Sequence, residues 1–364
     1  MLVNPTLLYS LQQKLIFLAQ FMNTKTKGDN MNKLTKIGVS ALCGSLATVA
    51  SAQAGEMTVT GGASMTYMSL SDEVTGNPLG MATGMTFTGT GDVNDSTVTL
   101  TIANTHKNAY TGSSIAVATP SLGTFKYDEK GGTGLDRIDD MMPTAWEEVD
   151  GAGVGMGLQT VSGVGGGSDI EWTLPSEWSM GSTVHISYSF KPDGSYNSKK
   201  GAGGTNGTSG LINGSGYDIV VTNNSVVEGL NMFAGYSTIN QSGPATHALD
   251  DREQLAGGAT YAVGGFTLGY QQSYDSAATS YDNTAYGVSF AVNDNLSISY
   301  ANHDSKQSQS DNTRLELEGK SLQASYTMGG ASLVVAETEV DNKNYATAAA
   351  NQREGRSIAL TLAF

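Results

Sequence analysis

The sequence is poor in residues that several protein classes require. It holds one cysteine and seven prolines among 364 residues, and only 15% of the residues are charged. One cysteine excludes a disulfide-stapled scaffold. The net charge of -15 excludes a basic nucleic-acid binder, so no nucleic-acid partner is expected. After residue 54, no segment approaches the run of about 20 apolar residues that a membrane helix needs.

Glycine and aromatic residues, by contrast, are plentiful. The 46 glycines make up close to 13% of the chain, against a typical share of about 7%. Hydrophobic residues account for 39%, and there are 16 Tyr, 9 Phe and 3 Trp. This content excludes an intrinsically disordered chain. High glycine together with low charge is also unusual for a cytosolic enzyme.

The N-terminal region has the order of an export signal. Residues Met31–Lys36 are basic, residues 37–50 are uncharged and mostly apolar, and Ala52-Gln53-Ala54 forms an A-x-A cleavage site. We therefore predict a signal peptide over 31–54 and interpret residues 1–30 as a non-native or over-long extension. A short buried helix is the alternative. Cleavage would leave residues 55–364, without cysteine and with 14 Lys and Arg against 33 Asp and Glu.

The remaining chain alternates apolar and polar residues with a period of two. In Phe266–Tyr270, Phe, Leu and Tyr share one face, and Thr and Gly share the other. Residues 286–292 and 357–364 follow the same rule. Such alternation predicts strands that have one apolar and one polar face.

Short turns and long polar links follow one another along these strands. Gly264-Gly265, Asn293–Asn295 and Gly329-Gly330 are tight connections, whereas 276–282, 305–313 and 341–353 are long. This rhythm is typical of an up-and-down transmembrane barrel with short periplasmic turns and longer external loops. Leu315 and Leu317 have the opposite parity to Leu322, so a bulge or a later start is predicted in strand 14. The predicted strands are 56–69, 82–90, 96–106, 113–119, 123–129, 168–174, 181–191, 215–223, 229–239, 252–263, 265–275, 283–292, 295–304, 315–327, 331–340 and 354–364.

The fold class predicted for residues 55–364 is therefore all-β, a transmembrane 16-stranded antiparallel β-barrel. The polar face is small and hydroxylic, with few charges at mid-strand, and tyrosines gather near strand ends as in an aromatic girdle. The alternative is a secreted β-sandwich that acts as a surface or adhesion protein. A sandwich would carry more charges on its polar face.

Three stretches and the last residue resemble the general Gram-negative bacterial porin family, closest to its alphaproteobacterial type. Residues 56–65 look like the family's first strand, Phe87–Asp92 like its second strand and first turn, and Leu122–Asp128 like the entry to its fifth strand. Phe364 resembles the signal read by the barrel-assembly machinery. The resemblance implies a homotrimer in the outer membrane of a Gram-negative bacterium, in contact with lipid and lipopolysaccharide. It also implies passive diffusion of small hydrophilic solutes.

The resemblance further implies a third external loop that folds inward and lines an eyelet with acidic groups. Residues 129–167 form the longest link into a following strand, and they contain Arg137 and Trp146. A solvated external loop is the alternative. The predicted eyelet acids are Asp136, Asp139, Asp140, Glu147, Glu148 and Asp150.

The opposite wall departs from the family, which commonly places Arg or Lys there. Inward positions of the first three strands carry threonine, serine and glycine without a cation. Because acidic rings favour cations, a cation-preferring pore is predicted. Candidate pore-lining residues are Thr58, Thr60, Thr86, Thr88, Thr99, Thr101, His185 and Arg137.

No motif for catalysis is found, and the chain is predicted not to be an enzyme. The four histidines lie far apart, and neither H-E-x-x-H nor G-x-S-x-G occurs. No cofactor is expected, although Asp136, Asp139 and Asp140 could supply oxygen ligands to a structural Ca²⁺. A substrate-selective channel is the alternative function, and it would require an aromatic ladder along the lumen.

Overall fold

The computed structural model describes most of the chain after the predicted signal peptide. It covers residues 55–363 except 71–76, 106–110, 130, 150–153, 166, 191, 193–211, 243–250, 277–278, 309–313 and 349–350. The predicted extension (1–30), the predicted signal peptide (31–54) and Phe364 lie outside the described residues. None of the helices in the described part has the length and hydropathy of a membrane-spanning helix.

Sixteen antiparallel strands form one closed barrel in which each strand pairs with its neighbours in sequence. The barrel closes where β1 pairs with β16, from Gly62 opposite Ala363 to Leu70 opposite Gly355. The predicted sixteen-stranded barrel is therefore confirmed, and a β-sandwich is excluded. The strands are β1 (Glu56–Leu70), β2 (Leu79–Val93), β3 (Ser96–Thr105), β4 (Gly112–Thr119), β5 (Gly123–Asp128), β6 (Asp169–Thr173), β7 (Thr183–Ser189), β8 (Ile212–Asn223), β9 (Leu230–Ser242), β10 (Arg252–Val263), β11 (Phe266–Asp275), β12 (Tyr281–Ala291), β13 (Leu296–Ser308), β14 (Arg314–Met328), β15 (Ala331–Asp341) and β16 (Arg353–Ala363).

The alternation of the sequence gives the barrel its two faces. On β11, Leu268 and Tyr270 are exposed on the outside, whereas Gln271 between Tyr270 and Gln272 is buried on the inside. Leucine, methionine, valine and tyrosine dominate the exposed large side chains. An outward apolar face with aromatic residues is that of a barrel in lipid.

Tight turns close one end of the barrel. Asn94, Gly264 and Gly329 each begin a two-residue turn with a positive φ, at 54°, 60° and 62°. This is the backbone that the right-handed twist of hairpin strands favours, and asparagine and glycine adopt it most readily. Long connections leave the opposite end of the barrel.

The predicted irregularity in β14 is wrong. This strand pairs with β13 in unbroken register from Arg314 to Tyr326. Leu317 points inward and is fully buried, because a segment inside the barrel packs against it. The change of parity thus marks inward apolar packing and no bulge. Register shifts instead in β8, between Asn213 and Gly216.

Candidate functional site: a loop across the barrel interior

The connection between β5 and β6 runs through the inside of the barrel. Its described residues, 131–149 and 154–165 (the crossing loop), place Leu135 over Gly235 of β9 and Val154 over Gly355 of β16. Because β9 and β16 lie on different sides of a closed barrel, a segment that reaches both passes through the interior. The loop begins with a short 3-10 helix, Gly134–Ile138, and contains little other regular structure.

Buried carboxylates clamp both ends of the crossing loop to β6 and β8. Asp218 is fully buried, and it accepts hydrogen bonds from Leu135 N–H at 2.8 Å and from Val164 N–H at 3.0 Å. Glu171 accepts from Gly134 N–H at 3.0 Å, and Asp169 accepts from the Thr133 hydroxyl at 2.7 Å. Peptide N–H groups that would otherwise be buried without partners thus receive charged acceptors.

The middle of the loop is held by amide and hydroxyl side chains of the far wall. Gln271 on β11 accepts from Met141 N–H at 3.0 Å and donates to the Asp139 carbonyl at 2.7 Å. Ser299 Oγ accepts from Ala145 N–H, and Gln323 bonds both the N–H and the carbonyl of Glu147. The backbone N–H and C=O groups of this irregular segment have no helix or sheet partners, and side chains of the wall supply their hydrogen bonds instead.

Apolar packing fills the space between the loop and the wall in two clusters. Leu135, Ile138 and Val161 lie against Val220, Phe233 and Ala256. Val149, Val154 and Met156 lie against Ala301, Leu317, Val340 and Tyr345. The core of this protein therefore lies inside the barrel, along the side that the loop covers.

The inner wall of β1–β3 carries the predicted threonines. Cross-strand pairing places Thr58, Thr88 and Thr101 in one row and Thr60 beside Thr86 in the next. Thr58 and Thr60 are exposed, and Thr86, Thr88, Thr99 and Thr101 are half-buried. They form a surface of hydroxyl and methyl groups, here called the threonine wall, that faces the interior.

Cations do lie inside the barrel, but each of three is paired with a carboxylate. Lys126 Nζ on β5 lies 2.9 Å from Asp128, and Arg137 Nη2 lies 2.6 Å from Glu171. Arg252 bonds Asp275. Lys126 was not among the predicted site residues, although its position between outward Phe125 and Tyr127 places it on the inward face.

The predicted eyelet acids that the structure describes lie along the crossing loop. Asp136 accepts from Gly132 N–H at 2.7 Å, and Asp140 accepts from Met142 N–H at 2.8 Å. Glu147 is half-buried and Glu148 is exposed. Burial raises the pKa of Asp139 to about 6, the carboxylates of Asp136 and Asp140 add to this rise, and the N–H of Asp140 opposes it.

Other predicted site residues have different surroundings. His185 faces inward but is buried, with Nδ1 2.9 Å from Thr173 Oγ1 and 3.5 Å from Glu171, so it belongs to the clamp beneath the loop. Asp150 and Phe364, the predicted assembly signal, lie outside the described residues. Within the described ranges, no three His, Cys, Asp or Glu side chains form a metal-holding group, and that includes Asp136, Asp139 and Asp140.

Comparison with known proteins identifies the fold. No protein-family model and no curated protein sequence matches this chain. Solved structures do. In-vitro folded OmpT, an outer membrane protein of Vibrio cholerae, matches 85% of this chain and 98% of its own, with a TM-score of 0.62 and 12% identity. OmpF of Salmonella typhi, in complex with daunomycin, covers the same shares with a TM-score of 0.65 and 13% identity.

A third match is described as an anion-selective porin from Comamonas acidovorans. It covers 85% of this chain and 100% of its own, with a TM-score of 0.60 and 14% identity. Identities this low establish a shared fold, and the alphaproteobacterial type stays a prediction. The closed barrel, its outward apolar face and the loop through its interior together give this chain the sixteen-stranded β-barrel fold of the Gram-negative porins.

Proposed function

We propose that the chain forms a water-filled channel in the outer membrane, through which small hydrophilic solutes and ions diffuse passively. One observation carries the proposal: the crossing loop packs on β6 and β8–β16, while the threonine wall of β1–β3 keeps exposed hydroxyl groups toward the interior. A hydroxyl-lined gap between a fixed loop and an open wall suits hydrated solutes of no particular shape.

Liposome swelling tests this proposal directly. Vesicles that contain the refolded protein should swell at rates that fall smoothly as the sugar added outside becomes larger. Vesicles with heat-denatured protein are the control. Swelling limited to one sugar of a size series would favour the substrate-selective channel, and no swelling at all would refute a channel.

We further propose that the pore prefers cations. Three cations inside the barrel, Lys126, Arg137 and Arg252, form ion pairs with carboxylates of the wall. The carboxylates of Asp136 and Asp139, in contrast, accept hydrogen bonds from the peptide N–H groups of Gly132 and Asp140, which carry no net charge. Their negative charge acts on the gap, where it concentrates cations.

We also propose a homotrimer that buries the outer face of β1–β3. OmpT of Vibrio cholerae has been solved in a trimer form. Here the outer face of β1 and β2 exposes Met57, Met65, Met81 and Met85, and methionine adapts readily to an irregular partner surface. Met81→Asp should convert trimers to monomers on a cross-linked gel, whereas Leu268→Asp on the far side of the barrel should leave trimers intact.

Lipid and lipopolysaccharide complete the proposed surroundings. Between the apolar band and the long connections, the outer face carries charged side chains. Two ion pairs lie there, Lys320–Glu318 and Arg356–Glu337, both at 2.8 Å. Such charges suit the sugar and phosphate zone of an outer leaflet. Insertion by the barrel-assembly machinery through Phe364 belongs to the same proposal. Deletion of Phe364 should lower the amount of folded barrel in outer-membrane fractions.

A further inference from the structure

The connection between β15 and β16 has an unusual backbone at three places. Asn342, Asn344 and Tyr345 have φ angles of 56°, 54° and 56°. Asparagine tolerates this left-handed region, but tyrosine rarely adopts it. Such a conformation persists only where surrounding contacts hold it in place, and it is found most often at sites with a role.

The contacts that hold Tyr345 come from inside the barrel. Its side chain is 5% exposed and lies in the apolar cluster with Met156, Leu317 and Val340. Its hydroxyl shares a 2.7 Å hydrogen bond with Ser305 Oγ of β13, and its ring lies 5.2 Å from that of Tyr281. Tyr345, a residue of the β15–β16 connection, is thus anchored inside the barrel.

The β15–β16 connection also forms hydrogen bonds with the crossing loop. The Tyr345 hydroxyl accepts a hydrogen bond from Gln159 N–H at 3.2 Å, and Asn344 N–H donates to the Met156 carbonyl at 2.9 Å. Lys343 Nζ lies 3.5 Å from the Val154 carbonyl. At Gly157 an added Cβ would stand 1.8 Å from Asn344 Oδ1, so the two segments interlock where only glycine fits.

These contacts fall on one part of the crossing loop. Residues 154–159 (the second limb) meet the β15–β16 connection. The wall also reaches this limb through Asn283 Nδ2, which donates to the Gln159 carbonyl at 3.0 Å. The earlier residues are bound to the wall by Asp218, Gln271 and Gln323. Loss of the contacts with the β15–β16 connection would therefore loosen the second limb while the rest of the loop stays attached.

We propose that residues 342–348 form a latch that holds the second limb against β12–β16 and so sets the width of the pore. Tyr345 is the positioning residue: its hydroxyl joins the barrel wall to the loop, and its ring closes the cluster over Met156. The link to pore width rests on the proposed channel function. The latch itself is a property of the packing and can be measured without ion flow.

The first experiment measures whether the second limb is released. Residues 55–364 contain no cysteine, so Met156→Cys introduces one thiol at a position that is 0% exposed. Reaction with a water-soluble maleimide should be about tenfold faster when Tyr345→Phe is added, as expected for the loss of one to two hydrogen bonds. Tyr281→Phe is the matched control, because the Tyr281 hydroxyl bonds Gln307 and the change should leave the labelling rate unaltered.

A second variant reaches the latch without touching Tyr345. Gly157→Ala drives a methyl group into Asn344 and should also accelerate labelling. A heat-modifiable gel shift establishes that each variant remains a folded barrel. If neither Tyr345→Phe nor Gly157→Ala raises the labelling rate above that of Met156→Cys alone, the proposed latch is refuted.

Single-channel recording then tests the link to pore width. Tyr345→Phe should add larger, fluctuating conductance levels, and an oxidised Met156→Cys/Asn344→Cys disulfide in that background should restore one steady level. Faster labelling with unchanged conductance would overturn the link to width. A wild type that conducts nothing would refute the proposed channel, while the labelling comparison would still decide the latch.

Discussion

Asp218 offers the sharpest test of how the crossing loop is held. Its carboxylate is fully buried and accepts the N–H groups of Leu135 and Val164, which lie near the two ends of the loop and are themselves buried. Asp218→Ala leaves both donors without an acceptor. Each such loss costs about 1–3 kcal/mol, so docking of the loop ends should weaken by about 2–6 kcal/mol.

Hydrogen exchange measures this loss at the affected amides. A weakening of about 2–6 kcal/mol raises the exchange rate of docked amides by at least about 30-fold. We expect this rise in peptides that cover 131–138 and 161–165. The strand ladders should exchange at wild-type rates, because their hydrogen bonds do not involve the Asp218 side chain.

Asp218→Asn is the matched control. It keeps one carbonyl oxygen in place as an acceptor, and its exchange should fall between those of wild type and Asp218→Ala. If the loop peptides of Asp218→Ala exchange at the wild-type rate, the Asp218 carboxylate does not hold the loop in place.

Three further predictions concern the gap beside the loop. Burial raises the pKa of Asp139 to about 6, so its carboxylate is charged above that pH and neutral below it. The preference of the pore for cations should therefore fall as the pH drops through 6. A reversal potential that is the same at pH 7 and pH 5 would contradict a contribution of Asp139 to ion selectivity. Gly269→Val should lower single-channel conductance, since an added Cβ would lie 2.4 Å from Pro143 Cδ and push the loop toward the threonine wall. Gly89→Val is the control that should conduct normally, because it lies on the outward face of β2 and its Cβ would have no atom within 4 Å. Thr86→Lys places an unpaired cation on that wall and should weaken cation preference, whereas Thr86→Val should not, and equal reversal potentials for the two would argue against a wall that faces the pore.

The strands could be predicted because their information is local. Alternation along 252–263 predicted β10 to the residue, and the remaining strands differ from the predicted limits by a few residues at their ends. A period of two reports which face a side chain takes, whatever lies opposite it. The same parity rule would have placed Lys126 on the inward face.

The packing of the interior could not be predicted in the same way. Asp218 lies 83 residues from Leu135, and Tyr345 lies 186 residues from Gln159. No pattern in the sequence joins such partners, because the loop is irregular and its contacts depend on where the closed barrel places each wall. Leu315 and Leu317 did indicate the loop locally, because inward apolar side chains need an apolar partner inside the barrel.

Reversal potential in a potassium chloride gradient tests the central claim most directly. With the protein in a planar bilayer at neutral pH, a pore between acidic loop residues and the threonine wall should pass potassium more readily than chloride. The dilute side should therefore become positive at zero current. A dilute side that becomes negative would mean preference for chloride and would contradict the account of the site.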